Sequence, residues 1–228
     1  MSEGLQVIAL IEDARDLALV ELARPLGEVI ALAASAPPSA GPDVLARAGA
    51  SRAVRVTDPV LADVDYLAIA HVLACAVRHL GGARPASSVV VLAGDRGRGA
   101  VGPAVAERLT LPHFGAVRRV EVRGEGTLLV DRACGAELRR FAGPPPVVLV
   151  CALPETDASS GTSPDAQVEQ IDLATLRITV PELQYRRRFR PAPGVGPRSR
   201  PHVVSNVELL GERLRRDGLW PVPPGGDA

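Results

Sequence analysis

The heaviest constraint on this chain is a set of apolar runs, too short to cross a membrane and too continuous for strands wetted on one face. Residues 5–11 (LQVIALI), 28–34 (EVIALAA) and 88–92 (SVVVL) are of this kind, and residues 52–56 supply a further strand. A strand apolar at nearly every position must be covered on both faces, as happens in parallel sheets flanked by helices. Helical patterns separate these runs. Residues 13–26 carry Leu17, Val20 and Leu22 on helical spacing, residues 42–48 form a short pattern stopped by Gly49, and residues 63–80 form the longest, ended by Gly81 and Gly82. Strand alternating with helix predicts an α/β fold: a mostly parallel sheet with helices on both faces.

The pattern changes after residue 113. Residues 114–123, 127–132 and 138–141 alternate apolar with polar across glycine-containing turns, predicting an antiparallel hairpin insertion. Residues 146–153 (PVVLVCAL) then read as a buried strand returning to the main sheet. From residue 154 the composition turns loop-like (PETDASSGTSPDA), and residues 191–201 (PAPGVGPRSRP) hold too much proline and glycine for a regular element. A closing amphipathic helix over residues 205–217, capped by Ser205, carries Leu209, Leu210 and Leu214 on one face. The expected organisation is an α/β domain over residues 1–153, a loop and return segment over 154–190, and an extended C-terminal arm over 191–228.

Composition narrows the function classes. In 228 residues, 26 basic side chains balance 26 acidic ones, which excludes a whole-molecule grip on nucleic acid or an anionic membrane surface. Every basic residue is arginine, so no lysine is available for a Schiff base or a P-loop. Aromatics are only 3% of the chain, which argues against a base-stacking platform for single strands. Cys75, Cys134 and Cys151 lack CxxC spacing and suggest neither a disulfide framework nor a zinc site. With no signal-peptide pattern in MSEGLQVIAL and no membrane-length apolar run, a cytoplasmic protein is expected.

The segment richest in chemistry is residues 94–109, GDRGRGAVGPAVAERL, which leaves a buried strand and opens a helix. Glycines at 94, 97, 99 and 102 allow close backbone approach, Pro103 suits a first helical turn, and free amides at a helix N-terminus attract anions. Arg96 and Arg98 add charge nearby or are simply solvated; the whole stretch also fits a plain strand-to-helix turn. Gly97, Gly99 and Gly102 match GxGxxG literally, but a dinucleotide fingerprint belongs in the first strand–helix turn with an acid about 20 residues on. Here the motif sits in the fourth unit before a meander, so the phosphate physics survives and a dehydrogenase does not. Asp13 reads as a helix N-cap rather than a catalytic acid. His71, His79, His113 and His202 show no metal-ligand spacing. The Arg186, Arg187, Arg188 and Arg190 cluster reads as a solvated patch or a contact to an acidic partner.

Together these residues resemble the β subunit of electron-transfer flavoproteins, the FixA type. The similarity is most specific over residues 89–113, where strand, glycine loop and GPAVAERL helix end on LPH; it continues through residues 120–153 and through the closing ELLGERLRRDGLWP. The resemblance implies an adenine-nucleotide alpha-hydrolase-like fold and a heterodimer with an α subunit that holds the redox-active FAD. It also implies an adenine nucleotide in this subunit, AMP or a second FAD, and a dehydrogenase as redox partner. Carried over by position, the phosphate would meet the amides of Gly99, Ala100, Val101 and Gly102, adenine and ribose would lie near Ala9, Ala34, Ser35 and Gly94, and Gly97 would also belong to the cofactor site. Three departures stand out. Asp95 is the only acid in GDRGRG, the loop after the first strand is cut to residues 11–15 (IEDAR), and residues 153–158 (LPETDA) replace the family's partner-recognition run. The last points to a redox partner other than ordinary acyl-CoA dehydrogenases.

Two other classes remain open at this level. A stand-alone adenine-nucleotide sensor on the same fold, resembling universal stress proteins, would self-associate and bind ATP without a partner. A nucleotide-using ligase or hydrolase would need a base, nucleophile or metal cluster beside the glycine loop.

Overall fold

The apolar runs assemble into one nine-stranded sheet in the computed structural model, which describes residues 5–35, 44–82, 88–95, 100–124, 126–153 and 167–183. The strands are β1 (Leu5–Leu10), β2 (Gly27–Ser35), β3 (Arg52–Thr57), β4 (Val89–Gly94), β5 (His113–Arg123), β6 (Thr127–Cys134), β7 (Glu137–Gly143), β8 (Val147–Cys151) and β9 (Val168–Ile171). The helices are α1 (Leu17–Ala23), α2 (Tyr66–Gly81), α3 (Val101–Leu109) and the single turn α4 (Val180–Leu183). Strand order is β7-β6-β5-β8-β4-β1-β2-β3-β9. Every pairing from β5 to β9 across the sheet is parallel. The antiparallel pairings β5–β6 and β6–β7 form the expected meander.

Period-two alternation divides the strand side chains between two layers. Ile8, Leu10, Ile30, Leu32, Val54 and Val91 face α2, α3 and α4. Val7, Ala9, Ala31, Ala33, Ala53 and Leu92 face α1 and the inner side of the meander. Helices therefore cover both faces, and β1, β4 and β8 are buried at every position. The helix α2 is buried over much of its circumference, from Ala68 to Val77, and starts where Asp65 accepts a hydrogen bond from the Ala68 amide at 2.9 Å.

Several elements differ from the sequence expectation. The helix expected over residues 13–26 shrinks to Leu17–Ala23, with 3-10 turns at Ala14–Asp16 and Arg24–Leu26. Asp13 and Asp16 close the first turn as a reciprocal capping box, and Pro25 lies in the second. The short helix expected over 42–48 is a 3-10 turn at Leu45–Arg47. Strand β9 and helix α4 arise in the expected loop and return segment over 154–190, where no regular element was read: β9 pairs with β3, and Leu183 of α4 is buried in the α2 layer. The C-terminal arm and its helix over 205–217 lie outside the described residues.

Candidate functional site

Strand order reverses between β1 and β4. From β1 the chain moves outward to β2 and β3, then returns to place β4 on the opposite side of β1. In open α/β sheets, ligands bind at the carboxyl ends of the strands flanking such a switch point. The switch point defines a crevice at the carboxyl ends of β1 and β4, beside Ala9 and Gly94, near which the resemblance puts adenine and ribose. Its rim is the loop after β1, the ends of β2 and β3, the end of β4, and the N-terminus of α3.

The loop after β1 is organised by its own carboxylates. Asp13 accepts a hydrogen bond from the Arg15 amide at 2.7 Å, as an N-cap should. Asp16 is only 5% exposed, and its Oδ2 accepts from the amides of Glu12 (2.7 Å) and Asp13 (3.1 Å). Burial pushes the Asp16 carboxyl above the usual carboxylate range; the two amide bonds oppose that rise, and the charge of Asp13 adds to it. Its other oxygen, Oδ1, lies against Gly94 at the end of β4, where a Cβ would collide with it. Gly94 is therefore glycine for a reason internal to the fold: it lets the Asp16 carboxylate reach across from β1 to β4.

At α3 the picture differs. Its N-cap residue is Ala100, which has no side chain able to cap, and the first helical bond runs from the Ala104 amide to the Ala100 carbonyl at 3.0 Å. Val101 and Gly102 offer backbone N–H groups in the first turn, where Pro103 has none. A Cβ on Gly102 would come within 2.8 Å of both Ala93 Cβ and Val150 Cγ2. The helix packs this close to β4 and β8 because the residue is glycine, which aims the N-terminal end of the dipole at the end of β4.

The remaining candidates divide. Ala9 is fully buried on the α1 face, in register with Ala31 and Leu92. Ser35, at the end of β2, pairs in register with Thr57 of β3. Ala34 packs against the opposite layer, with α2. Ala9, Ser35 and Gly94 consequently share a face that Ala34 does not. Gly97 and Gly99, with Arg96 and Arg98, lie outside the described residues.

Sequence reasoning overlooked three polar groups on the α1 face. Asp16 was legible as the acid three residues after an N-cap. Arg55, 8% exposed in the middle of an apolar strand, was legible as a charge where none is ordinarily tolerated without a partner. Thr57 Oγ1 is buried with no hydrogen-bond partner among the described residues, which no sequence pattern announces.

Elsewhere, His71 of α2 places Nδ1 3.2 Å from Arg108 Nη1, so it accepts from the guanidinium as neutral imidazole. The Cys151 thiol is pushed up to about 12, by burial first and then by the charge of Asp95. Among the described residues no group of three or more His, Cys, Asp or Glu could hold a metal ion, and no helix is long and apolar enough to cross a membrane.

The electron transfer flavoprotein domain model matches residues 12–176, a span reaching from the loop after β1 through β9. No curated protein matches the chain. With the match covering well over half of its length, the chain belongs to the electron transfer flavoprotein domain family.

Proposed function

We propose that this chain is the β-like subunit of a heterodimeric electron-transfer flavoprotein, and that the β1/β4 crevice holds an adenine nucleotide, AMP or a second FAD. Family membership supports the electron-transfer setting. The observation that carries the nucleotide reading is the start of α3. A backbone-only helix N-terminus, capped by no side chain, follows β4 beside the switch point. That arrangement suits a phosphate, since the amides of Ala100, Val101 and Gly102 supply donors and the helix dipole supplies partial positive charge. Asp16 supplies the acceptor chemistry that the sugar end of a nucleotide needs.

In this reading the chain's own residues bind and orient. The α3 amides hold the phosphate, and the Asp16 loop closes the crevice from the β1 side. The redox-active FAD is held mainly by a larger α-type partner, where it supplies one- and two-electron chemistry between a dehydrogenase and an acceptor.

The test is co-expression with a flavin-binding α-type partner, followed by acid release of what the purified complex holds. The expected result is a yellow heterodimer that yields AMP, or FAD beyond one equivalent. A complex containing neither flavin nor adenine nucleotide overturns the proposal.

A further inference from the structure

β1 carries one side chain for which its apolar surroundings do not account. Gln6 alternates with Ile8 and Leu10, so it points to the layer of α2 and α3, and it stands in register with Val89 of β4. It is only 4% exposed, and among the described residues its Oε1 has no hydrogen-bond donor. A buried amide oxygen costs free energy unless something donates to it. Beside it, at the amino ends of β4 and β8, lies a cavity of about 260 Å³. Its walls are Val77 and Gly81 of α2, Val89, Leu109 and Leu111 around the end of α3, and Pro146 before β8. Gly81 joins the two features. A Cβ there would stand 3.6 Å from Val89 Cγ2 and 4.0 Å from Gln6 Oε1, so both border the space in front of this glycine.

We propose that this cavity is a second small-molecule site, taking an uncharged compound with one apolar ring or short branched chain and one N–H or O–H group, which donates to Gln6 Oε1. Roughly 150 Å³ of apolar cavity already admits a benzene-sized guest. Charge of either sign is disfavoured. α2 and α3 both end here, at Gly81 and Leu109, and helix C-termini carry partial negative charge that repels an anion. The Arg78 guanidinium at the rim, which donates to the Arg108 carbonyl, repels a cation. The site is separate from the switch-point crevice, since Val89 and Gly94 are opposite ends of β4, about 17 Å apart. It stands whether or not the nucleotide reading does.

The experiment uses the full-length chain in the assembly in which it purifies, titrated by fluorine NMR with para-fluorophenol, para-fluorotoluene and para-fluorobenzoate. The phenol should bind saturably and about tenfold more tightly than the toluene, which has nearly the same shape and no donor. The benzoate should not bind. Gln6→Leu removes the acceptor and should bring the two neutral probes to within about threefold of each other. Gly81→Leu fills the cavity and should abolish binding of both. Gly81→Ala, whose methyl group meets only ordinary contacts, should weaken binding and takes over should the leucine variant not fold. Absence of saturable phenol binding overturns the proposal, as does binding undiminished by substitution at Gly81. A phenol preference that survives Gln6→Leu overturns it equally. Equal affinity of the wild-type chain for phenol and toluene, or for phenol and benzoate, overturns it without recourse to any variant.

Discussion

Gly102 shows how one missing methyl group sets the relation between a helix and a sheet. Ala93 Cβ and Val150 Cγ2 stand where its Cβ would go, both on strands that cannot retreat without disturbing β1 and β5. Gly102→Ala is therefore expected to lower stability by about 1–3 kcal/mol, the usual cost of overpacking, read from urea denaturation midpoints. Gly115 and Gly124 make the contrast, since a Cβ there would meet nothing within 4 Å. The sequence marked Gly102 for its place in a glycine-rich turn. Its packing role was not legible, because no local pattern reveals that residues 93 and 150 converge on it. His71 adds a pH dependence. Burial first, and the adjacent Arg108 second, hold its pKa below the ordinary 6.5. Arg78 acts in the same direction, and Glu182 of α4 opposes them. As pH falls through 6.5, the unfolded chain takes up the proton before the folded one, so stability declines over that range and levels off once the folded imidazole titrates. Unfolding midpoints at pH 7.5 and 5.5 should show a decline that His71→Gln reduces.

At the scale of elements, what the sequence revealed depended on how many residues repeated one signal. β1, β2, β4 and β8 are long or continuous enough in apolar residues to be read directly, and the β5–β7 meander declares itself through alternation and glycine turns. Gly135, at φ +65°, begins the two-residue turn joining β6 to β7, a backbone conformation that favours glycine. β9 was missed because four residues, VEQI, with two exposed polar positions at its centre, offer no period to read. Its strand character comes from the open edge of β3, which is a tertiary fact. The length of α1 was overestimated because its apolar spacing continues through residues where a capping box and Pro25 impose tighter turns. The end of α2 was read to within one residue from its glycine stop, whereas its start was placed at residue 63, ahead of the Asp65 N-cap. Asp65→Ala should remove the bond to the Ala68 amide and cost about 1 kcal/mol, measurable by chemical denaturation.

At the scale of the whole molecule, the sheet is finished at its two edges by different means. β7 leaves its residues exposed, Leu138 at 68%, and carries Glu137, Arg139 and Arg140, charges that discourage pairing with another chain. β9 instead covers β3, buries Ile171 in the α2 layer, and brings Glu169 to 2.7 Å from Arg52. Both members of that ion pair are close to half exposed, so Glu169→Ala should change stability by less than about 1 kcal/mol. Ile171→Ala should cost about 2–5 kcal/mol, as loss of a buried aliphatic side chain does. Comparing the two variants by urea unfolding tests whether burial or charge attaches β9. The resemblance places the nucleotide at the switch point between β1 and β4, whereas the Asp16–Gly94 contact across it required the folded register of β1 beside β4.

The pairing of β3 with β9 also has a consequence in time. Arg52 and Glu169 are separated by 117 residues along the chain, with β4 through β8 made in between. On a ribosome adding about 5–20 residues per second, the outer edge of β3 waits roughly 6–23 s before the strand that covers it has been synthesised. During that interval the nascent chain presents an unpaired row of backbone donors and acceptors to whatever else is in reach. The edge of β3 that β9 pairs in the finished molecule is closed late while the chain is being made.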